Sequence, residues 1–321
     1  VRGQTLVWFL RKYLGRRAVA CQTPAQFARA PVAADRVLLG LPTSLEPEQI
    51  QRIDCRELVP FDYLDAHELA WTVAQEAVLR TRVQHYLKPW FEPTWDYDLQ
   101  MGLLPIRRYG RFSTALAIDR WLGRTHSSAQ RKFDVAFLGR PNATRFYVDG
   151  RIEVVEQRVE WVLQLKREAP ELSFCGGLVE VDPQRQAKLE QRFGDLSDVW
   201  YAGEKVNFAR YFRSLHQARV LLAPGGNVPW TYRHYECLYS GAVVVTLDYR
   251  QRDMLVPLPR EQMVHVSDGE PVLPAVREAL ERSSREPELP ARVYEHLERY
   301  FSYGRYGRRP ALWERFEGQL R

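Results

Sequence analysis

From residue 132 onward, apolar residues come in short β-branched runs, separated by stretches in which they recur every three or four positions. That alternation predicts a parallel sheet covered by helices. Strands are expected at 134–138, 172–175, 199–202, 220–223, 243–247 and 263–266, and helices at 154–169, 184–193, 208–218, 232–239, 271–283 and 290–300. Together they make one complete doubly wound domain. Before residue 125 the pattern is less regular: a helix at 6–14, strands at 18–21, 36–41 and 57–61 with Pro-bearing connections, then helical periodicity over 67–86. A second, smaller α/β domain fits this part. The polar stretch THSSAQRK at 125–132 reads as the linker, so domains are expected at 1–125 and 126–321. There is no repeat of fixed period and no low-complexity tract.

Composition narrows the class. A chain of 321 residues with 45% hydrophobic content can bury a proper core, which sets disorder aside. No run approaches 18 apolar residues and the N-terminus lacks a secretory pattern, so a cytoplasmic protein is expected; the chain starts at Val1 rather than Met, which leaves room for upstream residues. Cys21, Cys55, Cys175 and Cys237 never form the Cys-x-x-Cys spacing of a zinc or redox site and read as reduced, mostly buried thiols. A net charge of +6 favours anionic partners: nucleotide phosphates, an anionic lipid surface or nucleic acid.

Chemistry concentrates in VLLAPGGNVPWTYRHYECLYSGAVVVTLD, residues 220–248: a buried strand, a Gly-rich turn, a helix, a Gly break and a second buried strand. In open α/β sheets ligands bind beyond the carboxyl ends of strands, where Gly225, Gly226 and Asn227 fall. The glycines let backbone approach a ligand, and the following helix N-terminus favours an anion such as a diphosphate. Arg233 and Glu236, three apart, share a helical face. An Arg fork suits phosphate and a carboxylate suits paired ribose hydroxyls; the bland alternative is an exposed ion pair worth little.

The run RHYECLYSGAVVVT, preceded by VLLAPGG, resembles the donor-binding element of GT-B glycosyltransferases, most closely the exostosin-like and CgeB-like groups, and KFDVAFLGRPNATR at 132–145 resembles the start of their C-terminal domain. The resemblance covers roughly residues 130–300. It implies two Rossmann-like doubly wound domains facing across a cleft, with Glu236 on the donor ribose and Arg233, helped by Lys205 or Arg140, on the pyrophosphate. It also implies that a helix such as 310–320 crosses back to the first domain. Many retaining members carry two Glu separated by seven residues here; positions 228 and 244 are both Val, a departure from that pattern.

The remaining candidates are weaker. VPFDYLDAHE at 59–68 sets Asp62, Asp65 and His67 beyond a strand end, where one could take the proton of an acceptor hydroxyl; Asp65 ahead of Glu68 equally matches a helix cap. Residues 90–112, rich in aromatics, could wall an acceptor or simply pack. The basic strip 299–310 reads as a connector, or as an RNA- or membrane-contacting surface. His85, His126, His216 and His296 show no ligand spacing, and His234 is expected on a helix surface or lining the cleft. The expectation is a glycosyltransferase acting on a nucleotide sugar and a glycan, glycolipid or polymer acceptor. It needs no bound metal or other cofactor, touches an anionic membrane at most peripherally, and reads no specific nucleic acid. A non-catalytic module on the same fold is one rival. A Rossmann oxidoreductase is the other, disfavoured by the lack of a Gly-x-Gly-x-x-Gly after an early strand.

Overall fold

Where apolar residues alternate or run together over four to seven positions, they form strands. The computed structural model describes residues 4–31, 33–64, 66–104, 130–204, 207–248, 258–267, 269–301 and 311–320. The chain divides into two units, one built chiefly from Val1–Ala117 and Phe301–Arg321, the other from Ile118–Asp253 and Pro257–Tyr300.

The first unit begins with helices α1 (Gln4–Leu14) and α2 (Pro24–Arg29). Strand β1 (Ala34–Gly40), helix α3 (Pro47–Gln51), strand β2 (Cys55–Phe61), helix α4 (Val73–Leu79) and strands β3 (His85–Lys88) and β4 (Gln100–Leu103) follow. The strands pair in parallel in the order β1-β2-β3-β4 over a core that includes Leu39, Ile50, Leu58, Leu79 and Tyr86. Two expectations are corrected here. No strand forms at 18–21, and the helical reading of 67–86 shrinks to α4. Thr72 and Gln75 form a capping box that starts α4 late, while the Thr81 hydroxyl donates to Val78 O and helps close the helix early, so Tyr86 falls in β3.

The second unit runs β5 (Phe133–Gly139), the antiparallel hairpin β6 (Thr144–Val148) and β7 (Arg151–Val155), α5 (Gln157–Glu168), β8 (Phe174–Leu178), α6 (Pro183–Phe193) and α7 (Phe208–Leu215). Then come β9 (Ala218–Ala223), α8 (Tyr232–Tyr239), β10 (Val243–Leu247), β11 (Met263–Val266), α9 (Val272–Arg285) and α10 (Leu289–Phe301). Strand β10 is buried along its whole length and β9 nearly so, as parallel strands covered on both faces must be. The expected helix 154–169 starts later, because Asp149 and Gly150, both at positive φ, turn the chain into the hairpin. The expected strand 199–202 survives only as one bridge, Leu178 to Trp200.

Helix α11 (Ala311–Gln319) clusters with the first unit. Gln319 accepts from Leu103 N at 2.6 Å and donates to Leu103 O at 3.1 Å, closing off β4. Among the described residues no helix is long and apolar enough to cross a membrane. Of the cysteines only Cys237 is buried; Cys21 is exposed and the other two half-buried, and all are free.

Strand order decides where a ligand would sit. The second sheet reads β8-β5-β9-β10-β11, so the chain leaves β5 for one neighbour, β8, and then returns to the other side with β9. The reversal lies between β5 and β9, the switch point beside which open α/β sheets place their ligand crevice.

Candidate functional site

The chain leaves β5 at Gly139-Arg140 and β9 at Pro224-Gly225-Gly226, so both turns stand at the carboxyl end of the switch point. The first turn of α5 joins them. Gln157 Oε1 accepts the Gly225 N–H at 2.9 Å, Arg158 Nε donates to Gly225 O at 2.6 Å, and Arg158 Nη1 donates to Arg140 O at 3.1 Å. Arg158 is buried, and this clamp holds two turns that lie 85 residues apart in the chain.

The clamp revises the role expected of the glycines. Gly225 N–H is taken by Gln157 and Gly226 N–H by Val228 O at 2.9 Å, so neither is open to a phosphate. Glycine is required for space instead. A Cβ on Gly225 would lie 2.5 Å from Thr144 Oγ1, and one on Gly226 would lie 2.6 Å from Arg158 Nη2. Asn227 is the one residue of that trio with an exposed side chain.

Helix α8 starts just beyond, and Arg233 in its first turn reaches across the end of β5. Its Nη2 donates to Leu138 O at 2.8 Å and its guanidinium lies 4.5 Å from the Phe137 ring centre. Gly139 leaves the room, since a Cβ there would overlap Arg233 Nη2. Tyr211 of α7 ties the expected pair together: its hydroxyl donates to Glu236 Oε2 at 2.8 Å and accepts from Arg233 Nη1 at 3.3 Å. Arg233 and Glu236 are both half-buried, not an exposed ion pair. Burial pushes the Glu236 carboxyl above its ordinary value, against the opposing pull of Arg233 and the Tyr211 hydroxyl. Burial likewise raises the Tyr211 phenol, which therefore stays a donor. Two buried polar atoms at this place, Arg233 Nε and Thr144 Oγ1, have no hydrogen-bond partner among the described residues. A buried polar atom left so costs about 1–3 kcal/mol, which makes the place receptive to a ligand that supplies the missing bond.

His234 is not the surface or cleft-lining residue expected. It is fully buried, stacked on Trp230 at 4.1 Å, with Nδ1 accepting from Thr231 N at 3.0 Å and Nε2 3.0 Å from Thr246 Oγ1, which donates to Ala223 O. That chain of bonds fits the neutral Nε2–H tautomer, and burial lowers its pKa to about 3. It braces the start of α8 and takes no proton at neutral pH.

Two of the residues expected to serve an acceptor, Asp62 and His67, lie in the first unit and are closed in. Asp62 is fully buried: Oδ1 accepts from Leu64 N at 2.7 Å, and Oδ2 accepts from Tyr86 Oη at 2.7 Å and Lys88 Nζ at 2.8 Å. Lys88, equally buried, also donates to Glu68 O at 2.9 Å. This is the geometry of a structural ion pair, which corrects the expectation of an open carboxylate. His67 is buried too, parallel to Trp95 at 5.6 Å. Asp65 and Lys205 lie outside the described residues, as does most of the strip 299–310. Arg140 is exposed beside the switch point.

Two solved structures share this architecture. The N-terminal domain of Candida albicans trehalose-6-phosphate phosphatase superposes with a TM-score of 0.52 at 11% identity, covering 100% of this chain and 76% of that one. Sucrose-phosphate synthase from Thermosynechococcus elongatus gives 0.51 at 14% identity, covering 92% and 74%. The chain has the GT-B fold. No protein-family model matches the chain, and no curated protein does.

Within this GT-B chain, sequence reasoning found Arg233, Glu236 and the Gly-rich turn but missed Gln157, Arg158 and Tyr211. Arg158 carried no local signal, because the helix was expected to begin three residues earlier. Tyr211 sits on a helix recognised from its periodicity, yet its partners are set by which strands are neighbours.

Proposed function

We propose that this chain transfers a sugar from a nucleotide-activated donor to a hydroxyl of a glycan, glycolipid or polymer, with the donor seated at the β5/β9 switch point. The observation that carries the reading is the Arg233–Tyr211–Glu236 arrangement at that point: a cation and a carboxylate, bridged by one hydroxyl, at the carboxyl ends of adjacent parallel strands. Arg233 Nε is a buried donor for a phosphate oxygen, and Glu236 has a second oxygen for the ribose hydroxyls. Exposed Arg140 and Asn227 flank the seat, and Lys205 belongs to the same reading. The positive end of α8 and Arg233 would offset the charge of a departing diphosphate, a task that some sugar-transfer folds give to a divalent ion, so no metal is required. The motif likeness to exostosin-like and CgeB-like enzymes supports the finer placement.

A thermal-shift screen tests this. One of UDP, GDP, ADP, dTDP or CMP should raise the melting temperature, by the equivalent of about 2.7 kcal/mol at a hundred times its Kd. Glu236→Ala should remove the shift and abolish slow hydrolysis of the matching nucleotide sugar. Stabilisation by NAD(P) alone would favour an oxidoreductase, and nucleotide binding without hydrolysis or transfer a non-catalytic module.

A pH dependence follows. Ionised Glu236 accepts from ribose hydroxyls more strongly than its neutral acid does, so affinity should fall as pH drops through its raised pKa. The Tyr211 hydroxyl lowers that pKa by donating to the carboxylate. Tyr211→Phe should therefore move the loss of nucleotide affinity to higher pH. Isothermal titration across a pH series reads this, and an unmoved midpoint in the variant would count against a ribose at Glu236.

A further inference from the structure

We infer that α1 and the turn after it form a docking surface for an anionic lipid bilayer. Six of the chain's 46 Lys and Arg precede Asp35, and none of its 40 Asp and Glu does. Residues 35–321 therefore carry 40 of each sign, and the whole excess of +6 belongs to residues 1–34. The surplus is a local feature, and four of its six charges, Arg11, Lys12, Arg16 and Arg17, fall within seven residues.

The structure shows which way this segment faces. Leu6 and Leu10 of α1 are buried and Tyr13 half-buried, so the helix rests on the protein by that side. Arg11, Leu14, Gly15, Arg16, Arg17 and Ala18 are exposed. The turn is ordered: Gly15 takes φ of 90°, Ala18 N donates to Gly15 O at 3.2 Å, and Arg11 Nε donates to Val19 O at 3.2 Å. Leu14, at 49% exposure, is one of the few large apolar side chains left in water among the described residues, and it stands beside Arg16 and Arg17. An exposed apolar residue set among cations, in a stretch with no acid from residue 1 to 34, suits a negatively charged headgroup layer, where Leu14 can enter the acyl boundary. A nucleic acid is the other polyanion, but no exposed aromatic ring lies at 13–31 to stack a base. The inference does not rest on the donor site.

Co-sedimentation with vesicles tests it on the full chain. Binding is expected to vesicles containing phosphatidylglycerol but not to vesicles of phosphatidylcholine alone, and it should weaken as salt is raised. Each cation near such a surface is worth on the order of fivefold in affinity, so Arg16→Gln with Arg17→Gln should weaken binding roughly 25-fold. Arg277→Gln with Arg285→Gln removes the same charge from two exposed positions on α9 and should change binding little. Equal binding to both vesicle types, equal losses in the two double variants, no binding to anionic vesicles, or tighter binding to RNA than to vesicles would each overturn the inference. The nucleotide thermal shift should be intact in both double variants, which keeps a failure here apart from a failure at the donor seat.

Discussion

Lys88→Met is expected to destabilise the first unit by about 3–5 kcal/mol, because it strands the Asp62 carboxylate without its counter-ion in a fully buried position. The Coulomb energy of the intact pair does not set this figure, since desolvating both ions offsets most of it. The cost arises from asymmetry: one partner gone, the other still charged and dry. Tyr86 and Leu64 would continue to donate to Asp62, which softens the loss without replacing a cation. At roughly 2–4 °C per kcal/mol for a unit of this size, the melting temperature should fall by about 10 °C. A second variant separates pairing from packing. Asp62→Leu combined with Lys88→Met removes both charges and should recover much of the stability, as apolar replacements of buried pairs often do. A single variant that melts within a degree or two of the parent would show that the pair matters little.

Arg158→Met should have a comparable effect on the second unit, for a different reason. The guanidinium is a charged donor to two carbonyls, Gly225 O and Arg140 O, and bonds of that kind contribute about 1.5–3 kcal/mol each. Methionine fills similar volume and makes neither bond. A stability loss of about 3–6 kcal/mol is expected, and with it the loss of any nucleotide-induced thermal shift, because the two turns at the switch point are no longer held together. Arg158→Lys should recover the charge but only part of the effect, since a point ammonium cannot span both carbonyls as a planar fork does. Denaturant titration of the three proteins, each with and without nucleotide, reads both consequences. An Arg158→Met protein that keeps full nucleotide response would remove the clamp from the account of the site.

What the sequence disclosed and what it hid have physical causes. Helix α8 and strand β10 match their expected spans to the residue, because the apolar run of β10 is unbroken and Gly241 marks the break; the four-residue β11 also matches, because Pro259 before it and Gly269 after it set it apart from any helical pattern. The β6–β7 hairpin was missed although Asp149-Gly150 is a strong turn signal, because Val154 and Val155 continue smoothly into the helical pattern of α5. Strand β3 was lost for a similar reason: four residues are too few to show a period of two beside a helix. At the site, Arg233 and Glu236 could be read from spacing on one helix. Arg158 and Tyr211 could not, since their partners depend on strand order, and no local pattern says that β9 lies against β5. Asp62 was visible as a carboxylate beyond a strand; its burial was not, because Lys88 is 26 residues away.

The bracing of α8 by His234 has a consequence for selectivity. A neutral imidazole that accepts from Thr231 N and reaches Ala223 O through Thr246 leaves the first turn of that helix little freedom to swing. If Arg233 holds the donor as proposed, a molecule arriving there would meet a wall already in its working shape. Candidates slightly too large would then be turned away by collision rather than accommodated by adjustment, so altering what such a seat accepts would call for replacing the residues around it, not loosening the helix that carries it.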